Sequence, residues 1–163
     1  GITKRESELE IERAMSDYFI IRTSWLYGKH GNNFVTTMIN LMNQKDELGI
    51  VSDQRGTPTY TLDLAKVILK IIYTDAEYGY YHYSNDGDIS WFDFAVRIYE
   101  SGKRKSLIKS DCEIKAIGTE DYPIPAKRPK YSVLDKTKIK TNFMVEVPKW
   151  EDSLDEYLKV LAS

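Results

Sequence analysis

The apolar run Tyr18-Phe19-Ile20-Ile21 stops abruptly at Arg22-Thr23-Ser24-Trp25-Leu26-Tyr27-Gly28. A short continuous apolar run bounded by polar and turn-forming residues reads as a buried strand, here over 18–23. Buried strands of this kind belong to sheets covered by helices on both faces. The flanking sequence supplies those helices. Residues 2–15 place Leu9, Ile11 and Met15 among charges, and Phe34, Met38, Leu41 and Met42 recur at helical spacing up to about residue 44. The strand end delivers two hydroxyls and an indole to one point. In open α/β sheets ligands bind just beyond the carboxyl ends of the strands, so a site is expected at Thr23, Ser24 and Trp25.

Further along, Leu48-Gly49-Ile50-Val51 predicts a short strand, and Ser52 to Thr59 a polar loop with Gly and Pro. Thr61 is read as the cap of a helix running to about Tyr73. A strand with alternating aromatics follows over 79–83, then a helix capped by Ser90, then a strand over 112–117. Residues 118–134 are Pro-containing and irregular. A short helix near 135–140 and a last one over 151–161 complete the pattern. Helices alternating with strands argue an α/β class. The strands are few and short, so one parallel sheet alone would be thin. The expected architecture is the C-terminal part of a doubly wound sheet beside a small α/β lobe. No repeat, low-complexity tract or clear linker interrupts it.

At 163 residues, one or at most two domains are expected. A net charge of −2 gives no basic footprint for nucleic acid. No apolar run approaches membrane-spanning length, and no signal-peptide pattern opens the sequence. The single cysteine, Cys112, leaves no intrachain disulfide and suits a reducing cytoplasm. His30 and His82 lack neighbours at ligand spacing, so no metal is assigned.

Several segments in order resemble the dTDP-4-dehydrorhamnose reductase family of the extended short-chain dehydrogenase/reductase superfamily. They are Arg22-Thr23-Ser24-Trp25-Leu26-Tyr27-Gly28, Gly31-Asn32-Asn33-Phe34-Val35, Asp53-Gln54-Arg55-Gly56-Thr57-Pro58-Thr59, Ser90-Trp91-Phe92-Asp93-Phe94-Ala95, Pro125-Ala126-Lys127-Arg128-Pro129 and Ser132-Val133-Leu134-Asp135. Gly1-Ile2-Thr3-Lys4 is similar to the end of the family's Tyr-Gly-x-Thr-Lys pattern. The resemblance therefore implies a C-terminal substrate-binding portion over 1–163, with residual elements of the dinucleotide-binding (Rossmann-like) sheet at about 1–75. The N-terminal half with the glycine-rich fingerprint would be absent, and the piece alone inactive.

On this resemblance Lys4 would hold the nicotinamide ribose and lower the pKa of the catalytic tyrosine, its charge favouring the phenolate. Thr23 and Ser24 would lie near the nicotinamide of NADPH or NADH. Trp25 would face the sugar, Asn33 the substrate diphosphate at a helix N-terminus, and Arg128 a phosphate through its planar guanidinium. From pattern alone Lys4 and Arg128 are also surface charges, Trp25 a core residue, Thr23-Ser24 a turn and Asn33 a plain N-cap. The implied activity is reduction of dTDP-4-dehydrorhamnose to dTDP-rhamnose, in the cytoplasm, for cell-surface polysaccharide. The alternatives are a non-catalytic binding or regulatory relative and a nucleotide-sugar epimerase. Oligomeric state is open.

Overall fold

The computed structural model describes residues 2–122 and 128–163. Gly1 and the segment 123–127, which carries Pro125, Ala126 and Lys127 of the resemblance, lie outside the described residues. From the amino end, α1 (Ile2–Ala14) leads into β1 (Phe19–Arg22), β2 (Leu26–Tyr27) and α2 (Phe34–Met42). Next come β3 (Glu47–Val51), β4 (Arg55–Gly56), β5 (Thr59–Tyr60) and α3 (Thr61–Ile72). β6 (Gly79–His82) and β7 (Ile89–Ser90) precede α4 (Trp91–Arg104). β8 (Glu113–Ile117), α5 (Thr137–Phe143) and α6 (Trp150–Ala162) follow.

The strands pair two by two. β1 runs parallel to β6, β2 to β5 and β3 to β8, while β4 and β7 are antiparallel. Parallel pairs need long crossovers, and each crossover here contains a helix or a whole excursion through the other lobe.

Two apolar cores result. In one, Phe19, Ile21 and Tyr81 on a single face of the β1–β6 pair pack against Val67 and Ile71 of α3 and Ile139 and Phe143 of α5. In the larger, Leu48 and Ile50 of β3 meet Met38 and Met42 of α2, Phe94 and Ile98 of α4, and Leu154, Tyr157 and Leu158 of α6. Fully burying one such side chain contributes about 1.5–3 kcal/mol. The lobes interleave along the chain, because β1 finds its partner only at 79–82. Residues up to about 75, where residual dinucleotide-sheet elements are expected, hold β1 but not its partner.

Helix ends follow local chemistry. Asn33 caps α2 by accepting the Thr36 N–H at 3.1 Å. Ser90 and Asp93 form a reciprocal capping box at the start of α4. The expected cap at Thr61 is corrected: Thr61 is the first helical residue of α3, and Tyr60 is the cap without a side-chain bond. Instead the Tyr60 N–H is bound 2.8 Å from Asn85 Oδ1, a partner 25 residues away that no local pattern reveals.

α1 stands apart, since none of its residues is buried. Polar contacts fasten it to the β1–β6 pair. Arg22 donates Nε and Nη2 to the two Glu8 carboxylate oxygens at 2.8 and 2.7 Å, and Arg5 donates to the Tyr80 hydroxyl at 2.9 Å. The Arg22 fork holds the Glu8 carboxyl well below its ordinary range, at about 2.

Candidate functional site

Five of the six residues singled out in the sequence line one cavity. It measures about 510 Å³ and is walled by Lys4, Thr23, Ser24, Trp25 and Arg128, together with Gln54, Trp91, Pro129 and Ser132. Lys4 reaches it from α1, one helical turn before Glu8, so the Glu8–Arg22 fork also fixes the helix that carries Lys4. Thr23, Ser24 and Trp25 follow β1 directly.

A ladder of hydroxyls braces that strand end. Thr23 Oγ1 donates to Thr59 Oγ1 at 3.1 Å, and Thr59 Oγ1 donates to the Ser24 carbonyl at 2.6 Å. Ser24 Oγ donates to the Thr57 carbonyl at 2.9 Å, and Thr57 Oγ1 to the Gly87 carbonyl at 2.7 Å. Thr57 and Thr59 are fully buried. The hydroxyl protons of Thr23 and Ser24 are thus committed to protein partners. Their remaining lone pairs can accept from a ligand N–H or O–H.

The Trp25 indole stacks on Trp91 with ring centroids 3.6 Å apart and planes 15° from parallel. Trp91 is the first residue of α4 and also touches Phe34, 4.6 Å between centroids. Arg128 lines the cavity from a segment bound to β4. The Arg55 N–H donates to the Lys130 carbonyl at 2.8 Å, and the Ser132 N–H to the Arg55 carbonyl at 2.9 Å, which ties the segment to β4.

A second cavity of about 460 Å³ adjoins the first through shared walls at Gln54, Trp91 and Arg128. Phe34, Met38, Leu41, Leu48, Ile50 and Tyr122 make it mainly apolar, with Lys45 and Glu47 at its edge. Gln54 is nearly buried and donates Nε2 to Thr119 Oγ1 at 3.0 Å, which in turn donates to Asp53 at 2.6 Å. That chain holds the Asp53 carboxyl below its ordinary value.

Asn33 does not join the set. Its oxygen accepts the Thr36 N–H, its amide donates to the Gly28 carbonyl at 2.9 Å, and it is absent from both cavity walls. The structure thus shows Asn33 as the N-cap of α2, apart from the other five residues. Gln54, Trp91 and Ser132 were not singled out as site residues, although each lies inside a segment quoted for the resemblance. Segment order marks a family resemblance but not which side chain turns toward a ligand. Among the described residues no group of His, Cys, Asp and Glu is placed to hold a metal.

Chemically, the first cavity combines two cations, a flat aromatic wall and hydroxyl acceptors, with no acid among its described lining residues. That suits an anionic ligand carrying a sugar ring: the guanidinium binds phosphate, the indole an apolar ring face, and the lysine a hydroxyl.

Comparison with known proteins points the same way. Residues 1–163 match the family model described as the RmlD substrate binding domain. A dTDP-4-dehydrorhamnose reductase from Aggregatibacter actinomycetemcomitans is 38% identical over 159 residues, covering 94% of this chain and 54% of that protein. The spore coat polysaccharide biosynthesis protein SpsK of Bacillus subtilis is 41% identical over 163 residues, 100% of this chain and 54% of that one. A crystal structure of dTDP-4-dehydrorhamnose reductase from Bacillus anthracis in complex with NADP superposes with a TM-score of 0.89 at 39% identity. It covers 98% of this chain and 54% of that one. The chain spans about half the length of the relatives it matches.

Proposed function

The chain belongs to the RmlD substrate binding domain family, and from that premise we propose that it is the substrate-binding portion of a reductase. The reductase converts dTDP-4-dehydrorhamnose, a dTDP-4-keto-6-deoxysugar, to dTDP-rhamnose with NADPH or NADH. The observation that carries this reading is the joining of Lys4, Thr23, Ser24, Trp25 and Arg128 around one cavity, from elements up to 124 positions apart.

The roles follow from chemistry. Trp25 offers its indole to the deoxysugar ring. Arg128, shared by both cavities, sits where a diphosphate would join the sugar in the first cavity to a nucleoside in the second. Lys4 would donate to the nicotinamide ribose. The free lone pairs of Thr23 and Ser24 would accept from its carboxamide. The residues present therefore fit the nicotinamide end of such a cofactor, which supplies hydride when bound. The NADP held by the Bacillus anthracis relative favours NADPH. The name of the Bacillus subtilis relative supports a place in surface-polysaccharide supply. We assign the reaction to the cytoplasm; among the described residues no helix is long and apolar enough to cross a membrane.

Steady-state kinetics on the longer protein containing this chain tests the reading. Trp25→Ala should lower kcat, because small errors in orientation are costly. Arg128→Ala should mainly raise KM for the nucleotide sugar, because a remote phosphate contact binds ground and transition states alike. Loss of one charge-assisted contact costs about 1.5–3 kcal/mol, roughly tenfold to a hundredfold in KM. An unchanged KM for Arg128→Ala would remove the substrate from this cavity.

A further inference from the structure

Trp25 adopts a left-handed backbone conformation, with φ of 47°. A bulky residue rarely sits there, because Cβ crowds the backbone. Such strain persists only where the surroundings over-determine it. Two surroundings do so here. Trp91 lies flat against the indole at 3.6 Å. Gly56 leaves room for its edge: a Cβ at position 56 would come within 2.7 Å of indole atoms Cε2 and Cζ2 and 2.9 Å of Ser132 Oγ.

Both neighbours are themselves fixed. The Ser90–Asp93 capping box sets the start of α4 and so the Trp91 backbone. Gly56 pairs with Ile89 in the β4–β7 ribbon, one residue before that same cap. A single local unit, β4–β7 and the first turn of α4, therefore supplies the contact on the indole from Trp91 and from Gly56. The Thr59 N–H, donating to the Trp25 carbonyl at 3.1 Å, pins the backbone between them.

We propose that Trp91 and Gly56 are positioning residues that form a slot for Trp25 and set the indole plane against which the reacting sugar lies. The proposal rests on the functional reading above. In that reading Trp25 touches the substrate, and the slot acts through Trp25. A side chain free to swing from a strained backbone position would relax away from the cavity. The stacked partner and the missing Cβ prevent that. The slot thus accounts for a glycine in β4 and a tryptophan at the first position of α4, neither of which the capping or the strand pairing requires.

The test perturbs the slot from each of its two neighbours in the longer protein. Gly56→Ala pushes on the indole edge without altering Trp91. Trp91→Leu removes the stack, and Trp91→Phe keeps an aromatic face and core volume should Trp91→Leu fail to fold. The expected result is a fall in kcat of tenfold to a hundredfold for Gly56→Ala and Trp91→Leu, the scale of an ångström-sized misplacement. For Gly56→Ala, which lines neither cavity, KM for the nucleotide sugar and for NADPH should stay within about threefold of wild type on that account. Trp91→Phe should recover most of kcat, because an aromatic face still supports the indole.

Near-ultraviolet circular dichroism reads the slot independently of turnover. The signal of the coupled indoles should vanish in Trp91→Leu and change in Gly56→Ala. Folded variants that lose this signal yet keep wild-type kcat overturn the proposal. So does a rise confined to KM, which would make Trp91 a simple binding wall. If the wild-type protein reduces no dTDP-4-keto-6-deoxysugar, the functional reading falls and carries the proposal with it; turnover by wild type separates the two failures.

Discussion

Replacing Asp63 should cost stability, and the chemistry of the replacement should decide how much. Asp63 is buried on the first turn of α3. Its Oδ2 accepts Asn85 Nδ2 at 2.8 Å and Ser153 Oγ at 2.6 Å, joining α3, the segment after β6 and α6. Asn85 passes the link onward through Oδ1 to the Tyr60 N–H. It therefore anchors β5, which carries Thr59 and follows Thr57 beneath the cavity.

A hydrogen bond to a charged acceptor is worth about 1.5–3 kcal/mol. In Asp63→Ala both are lost, but Asn85 and Ser153 also contact each other at 2.8 Å and retain that bond. A net loss of about 3 kcal/mol follows. The Lys66 ammonium, 3.5 Å away and largely in solvent, adds little. Because both bonds end on the same oxygen, Asp63→Asn can present its amide oxygen there and keep them as neutral bonds. Its cost should be about 1 kcal/mol. Urea unfolding followed by circular dichroism measures both. With a slope of about 2 kcal/mol per molar, the midpoint falls by about 1.5 M for Ala and about 0.5 M for Asn. Equal losses in the two variants, or a loss for Ala under about 1 kcal/mol, would refute the assignment of Asp63 as the acceptor that holds this junction.

Gly28→Ala should destabilise the chain by about 1–3 kcal/mol, since its Cβ would lie 2.0 Å from Thr61 Oγ1; Thr61→Ala in the same background should recover part of that loss in a thermal melt. Ser90→Ala breaks the capping box and should cost about 1 kcal/mol by urea titration. The docking of α1 should depend on acid. The Glu8 value is lower in the folded state than in the unfolded chain, so the Arg22–Glu8 contribution is complete above the ordinary carboxylate range. It is lost as pH falls from about 4.5 toward about 2. Hydrogen exchange of the α1 amides should accelerate in that window, ahead of the helices packed in the two cores; simultaneous release of both would contradict the polar anchoring.

What the sequence determined on its own is whatever local chemistry and periodicity encode. The β1 run, the Asn33 and Ser90 caps and the amphipathic faces of α2, α4 and α6 are all short-range patterns, and each forms as its residues dictate. The cluster of Lys4, Thr23, Ser24, Trp25 and Arg128 was readable only through the ordered resemblance of separated segments, because no spacing rule relates position 4 to position 128. Tertiary structure decided the rest. The two-residue strands β2, β4, β5 and β7 carry no periodicity and exist only because distant partners complete their ladders. The β1–β6 pairing closes across about 60 residues and makes the lobes interleave. Asn33 caps α2 as its pattern predicts, but only the folded chain shows that its amide N–H groups, which a phosphate would need, are turned to the Gly28 carbonyl. The Trp25 slot lies furthest from the sequence: a glycine's value there is the space it leaves for another residue's ring, and that space exists only once the chain has folded.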